Sequence, residues 1–76
     1  MSWNPRFVAY ARAHNRTPEG MLAHDERRWP GGKMTGFMLW VQGHWKTWRE
    51  ERGVPWDYPL LQVDHDDFDK MIGVIL

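Results

Sequence analysis

Apolar positions recur at spacings of three and four along this chain, and the longest such stretch begins near Thr35. Phe37, Met38, Val41, Trp45 and Trp48 form its stripe, while Lys46, Arg49, Glu50 and Arg52 fall mostly on the wet side. Gly53 followed by Pro55 stops it, because glycine accepts a left-handed cap and proline cannot continue a helix.

Two shorter helices are predicted upstream. Asn4 can accept from free N–H groups at a helix start, and Pro5 suits the first helical position because its missing donor is not needed there. Trp3 and Val8 then stand at the spacing of a hydrophobic staple, and the helix runs to about His14 with Phe7, Ala11 and His14 along one side. Thr17, Pro18 and Glu19 repeat the same start chemistry. Leu22 and Trp29 share a face with Met21 beside them, Gly20 weakens the helix, and Pro30-Gly31-Gly32 ends it.

Beyond Gly53 the pattern loosens. Val54 to Pro59 reads as a loop and Leu60 to Val63 as extended chain. Asp64 or Asp66 is expected to cap a short helix over Asp67 to Ile72, closed by Gly73. The apolar tail Val74-Ile75-Leu76 calls for burial against the body or a partner. The expected fold is therefore all-α: a compact bundle of three main helices plus a short C-terminal one. It forms one domain over residues 1–76, with a helical body over 1–53 and a loop and acidic, apolar segment over 54–76.

Size sharpens the question of what holds this together. At 76 residues a chain buries only roughly 60% of the surface its unfolded form exposes. There is no cysteine, which excludes disulfides and thiolate zinc sites and fits a reducing compartment. Aromatic packing is the remaining support: the six tryptophans, three phenylalanines and two tyrosines each offer about 150–250 Å² for burial. Most of these rings are expected in the core. No secretory leader is apparent, and no apolar run approaches the ~20 residues that cross a bilayer, so a soluble cytoplasmic protein without membrane contact is expected.

Charge is unevenly placed along the chain. The formal net charge is zero, yet residues 1–53 hold nine Lys/Arg against five Asp/Glu, and residues 54–76 hold Lys70 against five aspartates. The favoured expectation is that the acidic tail folds back on the basic body; steering of a partner is the alternative.

Candidate chemistry is sparse. A calcium-binding loop beginning at Asp64 would need glycine at its sixth position and a carboxylate at its twelfth, where Asp69 and Ile75 stand. The run Asp64-His65-Asp66-Asp67-Phe68-Asp69 thus reads as a solvated, helix-capping turn. His14, His24, His44 and His65 form no metal pair at helical spacing. His24 beside Asp25 and His44 before Trp45 are acid–base candidates, but no serine elbow, cysteine or phosphate-cradling glycine loop accompanies them. No catalytic residue, metal ligand or cofactor is expected, and an enzyme ranks behind a binding protein.

Two binding classes remain. Arg27, Arg28, Lys33, Lys46, Arg49 and Arg52 could contact phosphates if the second and third helices mimic a helix-turn-helix. The turn at Trp29 to Gly32 is long for that motif, and a DNA-binding domain is usually basic. Tryptophan with arginine is instead the composition of protein–protein hot spots. The residues expected to meet a partner are Trp45, Trp48, Arg49 and Arg52 on the third helix, Trp56 and Tyr58 on the loop, and Asp64, Asp66, Asp67 and Asp69 of the acidic run. A homodimer would bury the same groups.

The segments Asn4-Pro5-Arg6-Phe7, Ala9 to His14, Arg16-Thr17-Pro18-Glu19, Met21 to Asp25, Trp29-Pro30-Gly31-Gly32 and Gly36 to Trp40 resemble small uncharacterised proteins of bacteriophages and prophages, over roughly residues 4–49. The resemblance implies a phage gene product acting in the bacterial cytoplasm, by binding and blocking a host or defence protein. A small DNA-binding regulator is the alternative.

Overall fold

Residues 2–74 are described by a computed structural model, and α-helix dominates them. The helices are α1 (Pro5–Ala13), α2 (Pro18–Arg28), α3 (Thr35–Arg52) and α4 (His65–Ile72), with a 3-10 turn at Leu60–Gln62 and no strand among the described residues. None of these helices is long and apolar enough to cross a membrane.

The helix ends follow local chemistry. Asn4 Oδ1 accepts from the Arg6 N–H at 2.9 Å, and Thr17 Oγ1 accepts from the Gly20 N–H at 3.1 Å. Gly53 and Gly73 close α3 and α4 in the left-handed conformation, with φ of 65° and 84°. Asp64 precedes α4 at the cap position but makes no side-chain cap bond, and the helix starts at His65 rather than Asp67. There Asp66 and Asp67 in the first turn complement the helix dipole instead.

Several expected side-chain placements are corrected. Trp3 stacks on Phe7 (centroids 5.7 Å apart, planes 19°), which belongs to the buried face and offers a flat partner. Its indole N–H also reaches Glu19 Oε1 at 2.9 Å, joining α1 to the start of α2. A backbone hydrogen bond at the helix start, and then this indole, hold the Glu19 carboxyl below its usual range. Met38, placed in the stripe of α3, is 51% exposed. At 100° per residue the inward arc is centred on Phe37, Val41 and Trp45, and Met38 turns out of it. Leu60 to Val63, expected as extended chain, is a 3-10 turn held by Gln62 N–H to Pro59 O (3.1 Å) and Val63 N–H to Leu60 O (3.0 Å). Local bonding wins there because no second strand offers a ladder.

The core grows from α1, which packs against each of the other three α-helices, while α3 also meets α4. Phe7, Tyr10 and Ala11 bury one side of α1 against Met21 of α2, with Leu22, Phe37 and Trp40 closing over them. The rings interlock edge to face: Tyr10 lies 5.6 Å from Phe7, 5.6 Å from Phe37 and 5.4 Å from Trp40. Ile72 anchors α4, and Val74 is half-buried; Ile75 and Leu76, whose burial was expected, lie outside the described residues.

One side chain ties the acidic segment back to the body. Arg6 Nε donates to Asp69 Oδ1 at 2.7 Å, Arg6 Nη2 donates to His65 Nδ1 at 3.1 Å, and the guanidinium carbon sits 4.5 Å from the Phe68 ring centroid. Both members of the ion pair are partly buried.

Gly43 contrasts with all of this. It lies mid-way along α3 on an exposed face, and a Cβ added there would meet nothing within 4 Å. Gly43→Ala is therefore expected to stabilise the fold by about 1 kcal/mol through helix propensity alone. A thermal melt should rise by about 4–8 °C for that gain; a fall would show that α3 does not tolerate a side chain at Gly43.

Candidate functional site

Two sites emerge, one among the residues singled out by sequence and one not. The first is an aromatic ledge where the end of α3 meets the following loop. Trp45 and Trp48 stack at 5.2 Å with planes at 23°, and Tyr58 folds back to 6.1 Å from Trp45 and 6.5 Å from Trp48. Two cations cover the indoles. Arg49 Cζ sits 5.3 Å from the Trp45 centroid and Arg52 Cζ 4.5 Å from that of Trp48. Proline at 55 and at 59 stiffens the loop that returns Tyr58, which a sequence reading of loop residues could not aim.

Not every ring is available at the surface. Trp45 is only 9% exposed and belongs to the interior, a correction to its expected surface role: at its position on the inward arc it packs beneath Trp48 and Tyr58. Trp56 is the opposite case, at 82% exposed. It flanks a shallow groove of about 210 Å³ with Lys46, Arg49, Glu50 and Val54. Trp48 Nε1 and Arg49 Nε are buried with no hydrogen-bond partner among the described residues.

The aspartates separate. Asp67 lines a cleft with Arg52, Trp48 and Lys70 between α3 and α4, whereas Asp69 is engaged by Arg6 on the α1 side. That pairing engages one Asp69 carboxylate oxygen within the chain. Asp64 and Asp66 are exposed at the start of α4. No group of three or more His, Cys, Asp or Glu side chains is placed to hold a metal ion among the described residues.

The second site is built on Asp25, which has no solvent exposure at all. Tyr10 Oη donates to Asp25 Oδ2 at 2.8 Å, and His24 Nδ1 lies 3.0 Å from Asp25 Oδ1. A carboxylate oxygen accepts, so this contact places the His24 proton on Nδ1 and leaves Nε2 as the remaining ring site. His14 Nδ1 meets the Tyr10 carbonyl at 2.9 Å. Burial first, and then the bond to Asp25, push the Tyr10 hydroxyl far above its ordinary value of 10.0, so it stays a donor. The sign follows directly: this proton stabilises the fold fully below pH 10.0, and the contribution is lost as pH rises through the raised folded value.

Gly36 explains how α3 comes so close. A Cβ there would stand 2.4 Å from Tyr10 Oη, 2.8 Å from Trp29 Cζ3 and 3.0 Å from Asp25 Oδ2. Only glycine lets the first turn of α3 settle on the hydroxyl–carboxylate pair. That end of α3 has no side-chain cap of its own, so the nearby Asp25 charge complements its partial positive charge.

Above the pair opens a cleft of about 370 Å³, bordered by His14, Arg16, His24, Arg28, Trp29 and Trp40. Sequence reasoning missed it apart from the adjacency of His24 and Asp25. Its determinants, Tyr10, Asp25 and Gly36, are spread over three different helices. No family model, curated protein or solved structure matches this chain.

Proposed function

We propose that this chain is a phage-encoded binding protein that docks onto a bacterial host or defence protein in the cytoplasm, as an inhibitor or adaptor without catalysis. The observation that carries the reading is Trp56, held almost fully in solvent beside Lys46 and Arg49. An exposed tryptophan flanked by cations is the composition of an interface anchor, and it suits an acidic surface with an apolar pocket. Trp48, Tyr58 and Arg52 extend the same surface along the end of α3. The three longer helices act here as a compact bundle whose task is to present the loop.

The test is a pull-down from bacterial lysate with the tagged chain and its Trp56→Ala variant, run with and without nuclease. One dominant, nuclease-resistant protein is expected with the parent chain, and its recovery should fall at least ~10-fold for Trp56→Ala with an unchanged melt. Equal recovery by both chains would remove Trp56 from the interface. The second reading, a small DNA-binding regulator, draws on the exposure of Arg27, Arg28 and Lys33 around the turn between α2 and α3. Recovery of nucleic acid, or of proteins lost on nuclease treatment, would favour it. Light scattering on the isolated chain separates a homodimer from either.

A further inference from the structure

The cleft over Asp25 plays no part in that docking surface, and its chemistry is graded from bottom to mouth. Tyr10 and Asp25 are buried at the bottom with their polar atoms turned to each other. Trp29 and Trp40, half-buried, form walls. Arg16 and Arg28 are exposed at the mouth, joined by the His14 and His24 imidazoles.

Neither guanidinium has a carboxylate within 4.0 Å among the described residues. The one acid in the lining, Asp25, is turned inward. Arg28 instead lies over the Trp29 ring, with Cζ 5.1 Å from its centroid. The mouth thus gathers two permanent cations and two imidazoles with no exposed counter-charge, against planar walls.

Each part selects a ligand feature. Guanidinium forks match tetrahedral or planar oxyanions, and two of them suit a dianion with three acceptor oxygens better than a single carboxylate. A cavity of about 370 Å³ exceeds the need of a bare inorganic anion and falls in the range of small-molecule sites. Indole walls favour a flat ring. We propose that this cleft binds a nucleotide, with the phosphoryl group on Arg16 and Arg28 and the base against the indoles. Free mononucleotide and the 5′-phosphorylated end of a strand share that chemistry.

The test is a titration followed by the indole N–H signals of Trp29 and Trp40. The probes are the four ribonucleoside monophosphates, the matching nucleosides, inorganic phosphate, and a tetranucleotide with and without its 5′ phosphate. At least one monophosphate should shift both signals saturably, with its nucleoside and phosphate alone each at least ~10-fold weaker. Arg16→Gln and the double variant Arg16→Gln/Arg28→Gln should weaken binding by ~10-fold or more with the fold intact. Tighter binding of the phosphorylated tetranucleotide assigns the strand end as the source, and weaker binding assigns the free nucleotide. No saturable shift by any nucleotide probe up to about 10 mM, or equal affinity in a folded arginine variant, overturns the proposal.

Discussion

Replacing Asp25 with alanine is expected to destabilise the fold by about 2–4 kcal/mol, because a buried Tyr10 hydroxyl is then left without an acceptor. Two further effects add to the loss and one offsets it. The start of α3 loses the negative charge beside it, and a small void opens where the carboxylate was. Against these, an ionised group no longer has to be held away from water. The orphaned hydroxyl wins because Tyr10 is 2% exposed and held among Phe7, Phe37 and Trp40. Urea denaturation measures the difference directly. Asp25→Asn keeps an acceptor for Tyr10 and should fall between the parent and the alanine variant. A midpoint for Asp25→Ala equal to that of the parent would show that the Tyr10 bond contributes nothing.

Replacing Trp40 with alanine should cost about 3 kcal/mol, the low end of the range for emptying a large aromatic site. The low end applies because part of the indole faces the cleft rather than the core. What remains is still considerable: Trp40 lies 5.4 Å from Tyr10, 6.1 Å from Phe37 and 4.7 Å from His44 by ring centroids. Its loss unpacks the face of α3 that lies over α1. For a chain of this size the thermal midpoint should drop by at least ~12 °C. A melt within ~2 °C of the parent would mean that Tyr10 and Phe37 close the gap without it.

These two residues also mark where a sequence can and cannot be read. Trp40 gave only a partial sign, a bulky ring within the third helix that lies off the stripe of Phe37, Met38, Val41, Trp45 and Trp48. Asn4, Thr17, Gly53 and Gly73 announced themselves, since caps act within three or four residues and leave a local signature. Asp25 gave no such sign. It sits among His24, Glu26, Arg27 and Arg28 on what looks like a wet helix, and its burial is decided by Tyr10 fifteen residues earlier and Gly36 eleven residues later.

The same limit governs the surfaces. Trp45, Trp48 and Tyr58 were named individually, but which ring ends up beneath the others depends on the path of the loop after Gly53. Met38 shows the margin for error on a single helix, where one position separates the edge of the stripe from solvent. The cleft was the least legible feature. Its lining comes from α1, α2, α3 and the turns between them, and no one of those segments carries its pattern alone.

The grip of Arg6 on α4 has a consequence in time as well as in space. On the ribosome, Arg6 emerges long before Asp69, His65 and Phe68, the three residues it holds. Tyr10 meets Asp25 across a far shorter stretch of chain and can close while α4 is still being made. The clasp of Arg6 on α4 thus closes 63 residues of chain, against 15 for Tyr10 on Asp25.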